Sequence, residues 1–298
     1  MTKRYDKLFS AIDIITLVYS GWITLYLAFG FSRATDAGLH FAAHLSIFTA
    51  VLFLAWWHKS LDESKSPKLY KVLGFVRSLY PVALFGYFFT SGYSYNRIIF
   101  GDWLDPFFMN IDLRLFDYLP SLEWGKQFAG FWTNELFHFA YFCYYPMIAG
   151  LPLYLYFKKP KAFGELIFIL SFVFYMCYFI YSIVPVIGGR YIEEAMAITQ
   201  QYRAGVFTHI MVFIYRNSGH LGGAFPSSHV AVTLVLTISA LQNLSKMGYV
   251  FLLIAFFLTI ATVYCHYHWF IDSVFGVFTG VGGYFLAKYA YRKLQGAR

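Results

Sequence analysis

The sequence predicts an all-α membrane protein, a bundle of about eight transmembrane helices, and three observations carry that expectation. Of its 298 residues, 59% are hydrophobic and only 13% charged, against about 25% charged in soluble domains. Mean hydropathy is +0.55. Apolar runs long enough to cross a hydrocarbon core of roughly 30 Å recur along the whole chain. They leave no room for a separate soluble domain, and no internal repeat or low-complexity segment interrupts them.

The first run, 8–31, follows Lys3, Arg4 and Lys7. It is too long for the apolar core of a signal peptide, and no small-residue cleavage site closes it, so it reads as a first transmembrane helix. Further spans are expected at 38–58, 72–95, 133–157, 163–186, 224–243, 248–266 and 269–291. Arg77, Pro81 and a glycine- and serine-rich end interrupt the third. With the N terminus in the cytoplasm, 15 lysines and arginines fall on the inner side. Seven fall outside (Arg33, Arg97, Arg114, Lys126, Arg190, Arg203 and Arg216), and Arg77 lies within a span. The positive-inside rule therefore favours eight spans with both termini cytoplasmic. The net charge of +8 comes from short clusters placed to meet lipid head groups, so nucleic acid is not an expected partner.

Two outer segments are long. Residues 97–131 carry Asp102, Asp105, Asp112, Arg114, Asp117 and Glu123 among aromatic and aliphatic side chains, as short helices lying in the membrane interface do. Residues 187–223 hold Arg190, Glu193, Glu194, Arg203, Arg216 and His220, and functional groups concentrate on such loops. Cys143, Cys177 and Cys265 lie in or beside apolar segments without metal-ligand spacing, which suits small buried side chains. His40, His44, His58, His138 and His209 share no ligand spacing and read as packing or interfacial groups. The Tyr and Phe stripes read as packing surface.

Two short motifs stand apart. Gly222-Gly223-Ala224-Phe225-Pro226-Ser227-Ser228-His229 opens the sixth span. Proline at a helix start costs nothing, since its missing N–H would have been unpaired. The amides of Ser227, Ser228 and His229 are expected to be free at that helix end, where the macrodipole favours an anion. The second motif is His266-Tyr267-His268-Trp269-Phe270-Ile271-Asp272, at the entry to the last span. His268 and Asp272 are four apart and share a helix face. The carboxylate can accept the Nδ1–H of His268 and leave Nε2 free to attack. An aspartate inside a membrane helix is a functional candidate by default. By the topology above, both motifs and Arg190 lie at one outer membrane level, which makes a plausible site for phosphate binding and phosphoryl transfer.

At these residues the chain resembles the type 2 phosphatidic acid phosphatase superfamily. Pro226-Ser227-Ser228-His229 and His268-Trp269-Phe270-Ile271-Asp272 look like its second and third signatures. Gly-Ala-Phe-Pro-Ser at 223–227 is most similar to the branch that includes inositol phosphorylceramide synthase. A weaker likeness runs through Asp105-Pro106-Phe107, Asp112 and Leu115-Phe116 to Tyr144-Tyr145. The resemblance implies a six-helix catalytic domain over 72–298, preceded by two N-terminal transmembrane helices in 1–71. It implies that His268 is the nucleophile, that Asp272 orients it and that His229 protonates the leaving group. Arg190, Ser227 and the backbone at Ser228 would hold phosphate oxygens, and no metal or other cofactor is implied. The expected partners are a lipid phosphate substrate, the surrounding membrane lipids and an acceptor that is water or an alcohol.

The chain also departs from the phosphatase pattern. Ile183 stands where a lysine is expected seven residues before Arg190, Tyr191 where a proline is expected, and Thr262 where an arginine is expected six residues before His268. Phospholipid-transferring relatives share the loss of these cations, so transfer to an alcohol is open beside hydrolysis. Arg97, Arg203, Arg216, His220 or His266 are candidates to replace the missing charge. An alternative for the same residues is a transporter or flippase in which His229, His268 and Asp272 relay protons. The expected location is a bacterial inner membrane, with the site on the periplasmic side. The lipid tail, diacylglycerol, ceramide or polyprenol, stays open.

Overall fold

The structure, a computed structural model, describes residues 8–201, 205–217 and 220–295. Lys3, Arg4, Lys7, Arg203 and Arg298, which enter the expectations above, lie outside them. The described residues are all-α, with no β-strand and one isolated parallel bridge between Val186 and Gly223. In chain order the first three helices are α1 (Ala11–Phe29), α2 (Ala37–Ser60) and α3 (Pro67–Ser91). Two short helices follow, α4 (Asp105–Phe116) and α5 (Pro120–Gln127). Next come α6 (Phe131–Phe142), α7 (Tyr144–Lys158) and α8 (Pro160–Ile183), then the short α9 (Glu193–Gln201) and α10 (Val206–Asn217). The chain ends with α11 (Ser228–Asn243), α12 (Met247–Tyr264) and α13 (Phe270–Gln295).

Each of the eight expected spans is helical, with two differences. The fourth is split at Cys143 into α6 and α7. Pro146 explains the break, because it lacks an N–H and its ring crowds the carbonyl of Phe142. The sixth starts at Ser228 rather than 224 and has 16 residues, about 24 Å at 1.5 Å per residue. By length and composition, seven helical stretches among the described residues can cross a membrane, α6 and α7 counting as one, and α11 is the exception. It compensates by burial: Val230, Ala231, Val232, Val235, Leu236 and Ala240 are all inaccessible.

Helix α8 is the hub, buried along most of its length. It packs against α1, α3, α7, α11 and α13. Tyr19 of α1 stacks on Tyr175 with centroids 5.0 Å apart, and the Tyr26 hydroxyl donates to the Ser182 carbonyl at 2.7 Å. The outward faces carry exposed Phe29, Trp132, Phe157 and Phe213, as a surface bathed in lipid does. A buried ion pair joins α1 to α3, Asp13 with Arg77. The Tyr80 hydroxyl donates to the same carboxylate at 3.1 Å.

Successive connections sort to opposite ends of the bundle. At one end Arg33 donates to the Ile98 carbonyl (3.1 Å), Asn96 to that of Leu221 (2.9 Å) and the Leu104 amide to that of Pro185 (2.9 Å). At the other, Lys159 donates to the Asn243 carbonyl (2.8 Å) and Lys288 pairs with Glu165 (3.2 Å). This alternation is what up-and-down spans require.

Candidate active site

The segment before α11 is extended, not helical, because neighbours claim its polar groups. The Ala224 amide donates to the Val186 carbonyl (2.9 Å) and the Ser227 amide to the Asp272 carbonyl (3.0 Å). The Ser228 amide donates to the Tyr181 hydroxyl (3.2 Å), which in turn donates to the Pro226 carbonyl (2.8 Å). Two of the three amides expected to be free for an anion are therefore committed. Ser227 is the N-cap of α11, its hydroxyl accepting from the Val230 amide at 3.4 Å.

The turn between α12 and α13 is tied just as firmly. The amides of Tyr267 and His268 both donate to the Thr262 carbonyl at 3.0 Å. His266 adopts the left-handed conformation (φ 63°) and donates from Nδ1 to the Ser121 carbonyl. Two carboxylates of helix α4 then clamp the turn. Asp105 accepts from the Ile187 amide, the Gly188 amide and Trp269 Nε1, each at 2.9 Å. It thereby joins the Arg190 loop to the His268 turn. Asp112 accepts from the amides of Phe270 (2.7 Å) and Ile271 (3.1 Å), two of the unpaired donors at the start of α13. A third donor, the Trp269 amide, is taken by Asp272 at 2.9 Å, one half of a capping box. Gly188, at φ 86°, lies so close to the Tyr267 carbonyl that a Cβ would come within 2.3 Å of it.

These constraints shape a half-open cavity of about 60 Å³ lined by Arg190, His220, Ser228, His229, Tyr267 and His268, among others. The rings of His229 and His268 are 6.4 Å apart, and His229 packs between Tyr141 (4.8 Å) and Tyr144 (4.5 Å). Asp272 Oδ2 lies 3.6 Å from His268 Nδ1, slightly beyond a hydrogen bond, and Ser227 Oγ lies 3.1 Å from Nε2. Burial, with the charge of Arg190 adding to it and the Ala224 carbonyl opposing, pushes the His268 imidazole down to about 3. It is therefore neutral near pH 7. Arg190 lies between the rings of Tyr191 (4.6 Å) and Tyr215 (4.2 Å) and donates from Nη2 to the Tyr191 hydroxyl. Its Nη1 is buried without a partner.

A sequence profile described as the PAP2 superfamily matches residues 114–286, more than half of the chain. The chain belongs to the PAP2 superfamily. Members of this superfamily are phosphatases or phosphotransferases, so the chain is a membrane enzyme of that kind. No curated protein and no solved structure gives a significant match. The PAP2 match runs from α4 into α13 and takes in every site residue expected from the sequence.

Of those residues, this PAP2 bundle places Arg190, Ser228, His229 and His268 on the cavity wall, with Ser227 and Asp272 directly behind it. Ile183 ends α8 without supplying a cation, and Thr262 Oγ1 pairs with Ser273 Oγ at 2.7 Å. Among the candidates to replace the missing charge, Arg97 stacks on Trp103 (4.9 Å), Arg216 is exposed and His266 is held by Ser121. Of the described candidates, only His220 lines the cavity. The clamping roles of Asp105 and Asp112 were not read from the sequence, although the likeness around Asp105-Pro106-Phe107 and Asp112 marked the positions. Among the described residues, no group of three or more His, Cys, Asp or Glu is arranged to hold a metal ion.

Proposed function

We propose that this protein transfers the phosphoryl group of a lipid phosphate through a covalent intermediate on His268, without a metal ion. His268 Nε2 attacks phosphorus while Asp272 holds the Nδ1–H. The bond to the lipid oxygen breaks, and protonated His229 delivers its proton to the departing oxygen. His229, now neutral, takes the proton of an incoming alcohol or water, whose oxygen attacks phosphorus and frees His268. Arg190 holds non-bridging oxygens through the unpaired Nη1, and Ser228 contributes its hydroxyl. Electrostatic stabilisation of this kind is commonly the largest contribution to catalysis.

The supporting observation is the convergence of Arg190, His229 and a neutral His268 on one cavity at a single end of the bundle. With Ile183 and Thr262 in place of cations, Arg190 is the one permanently charged side chain on the cavity wall among the described residues. A single cation suits a phosphodiester monoanion better than a monoester dianion. That balance, with the likeness of 223–227 to inositol phosphorylceramide synthase, favours transfer to an alcohol over hydrolysis. The basic clusters at the far end support an extracytoplasmic site by the positive-inside rule.

The deciding experiment is turnover of ³²P-labelled lipid phosphates by purified protein with EDTA present. Wild type is expected to release or transfer label and to carry acid-labile label on the protein. His268→Ala should lose both, by a factor on the order of 10⁴ or more, as removal of a covalent nucleophile does in other enzymes. Turnover that survives His268→Ala would overturn the mechanism.

A further inference from the structure

His220 sits where Leu221 and Gly222 lead into the motif before α11. Its ring packs at a tilt against Phe89 with centroids 4.0 Å apart and touches Gly92 and Gly223: a Cβ on Gly223 would lie 2.5 Å from Nε2, and one on Gly92 3.4 Å from Cε1. The residue is 7% exposed, yet neither ring nitrogen makes a hydrogen bond of acceptable geometry, the nearby Thr90 carbonyl included. A purely structural histidine would normally satisfy its N–H, because a buried unpaired donor costs about 1–3 kcal/mol. Here the unsatisfied imidazole borders the same cavity as Arg190, His229 and His268.

The backbone around it is shaped to hold it there. Gly222 has φ 87°, and a Cβ on it would come within 2.0 Å of Asn96 Nδ2 and 2.8 Å of Trp103. Asn96 itself is buried and donates to the Leu221 carbonyl at 2.9 Å. The chain is thus pinned just after His220, whose imidazole borders the cavity.

We propose that His220 is a third imidazole of the substrate site, donating a hydrogen bond to the non-bridging oxygens of the bound phosphoryl group. This rests on the phosphoryl-transfer function above and assigns part of the binding that two missing cations would have supplied. Burial, with the charge of Arg190 adding to it and the Thr90 carbonyl opposing, pushes the His220 imidazole down to about 4. It therefore acts near pH 7 as a neutral donor. Its contribution is hydrogen bonding without added charge, which keeps the cavity matched to a monoanion.

The test separates binding from turnover by using inorganic phosphate as the probe. The shift in thermal unfolding midpoint is titrated with phosphate for wild type, Arg190→Ala, His220→Ala, His220→Gln and His220→Phe, beside KM and kcat for a lipid phosphate. His220→Ala should weaken phosphate binding and raise KM about tenfold, with kcat changed less than threefold. His220→Gln, which keeps a donor, should recover to within about threefold. His220→Phe keeps the packing on Phe89 and removes both nitrogens, so it should bind as weakly as the alanine variant, and it decides the matter if His220→Ala does not fold. Phosphate binding unchanged in His220→Phe or His220→Ala, with Arg190→Ala weakened, overturns this assignment and leaves the phosphoryl-transfer function standing. Binding unchanged in all variants, or absent in wild type, overturns both.

Discussion

Asp112 holds two amides at the head of α13 with a carboxyl that burial pushes up to about 6, the N–H groups of Phe270 and Ile271 opposing and the Asp272 carboxylate adding to the rise. Its folded-state value lies above the ordinary 3.8. The folded protein therefore binds a proton there that the unfolded chain has lost, and this residue's contribution to stability declines as pH rises from about 4 to 6. Geometry responds in the opposite sense, since only the charged carboxylate accepts both amides well. Turnover should fall as pH drops through about 6. His268 cannot produce that limb, because its imidazole stays neutral down to about 3. In Asp112→Asn the limb should vanish and kcat should fall about tenfold at pH 7.5, the order expected for one lost charge-assisted bond. A pH–rate profile measures both, and an unchanged acid limb in the variant would remove Asp112 from the account.

At the scale of elements, the approach of α11 to α13 sets the distance between His229 and His268. Asp272, Gly276 and Gly280 recur every four residues and share one face of α13. A Cβ on Gly276 would lie 2.8 Å from the Ser227 carbonyl oxygen, and one on Gly280 2.6 Å from that of Ala231. Small residues spaced this way let membrane helices touch backbone to backbone. Gly280→Ala should therefore lower the unfolding midpoint, at a cost of about 1–3 kcal/mol, and reduce kcat by shifting His229 relative to His268. Gly282, two residues on, faces open space. Gly282→Ala should leave activity unchanged and, on helix propensity, stabilise by up to about 1 kcal/mol. Thermal unfolding of the pair checks both signs.

The spans and the His229, His268 and Asp272 constellation were legible in the sequence, because apolar length and short-range spacing are local properties. The clamp was not. Asp105 and Asp112 sit among aromatic and aliphatic side chains in α4, and a carboxylate there looks solvated until its partners, at positions 187–188 and 269–271, are known to be adjacent. The start of α11 is not legible for a related reason: Ala224 and Phe225 are apolar, but their segment is extended and bridged to Val186 through Gly223. His220 could be named as a candidate, yet nothing local separated it from Arg97, Arg216 or His266.

For the whole molecule, α1 and α2 precede the matched PAP2 region, yet α1 packs directly on the hub helix α8 and is tied to α3 by the Asp13–Arg77 pair. The N-terminal helices thus belong to the same packed body as the site. That body lines one half-open space of about 60 Å³ beside Arg190, His229 and His268. On the transfer proposed above, donor and acceptor take turns at one berth, the first alcohol departing before the second arrives. Such an enzyme runs ping-pong: double-reciprocal plots at several acceptor concentrations should be parallel, and excess acceptor should inhibit by occupying the berth before the donor. Intersecting lines would mean that both alcohols are seated at once, and that no covalent relay is needed to pass the phosphate between them.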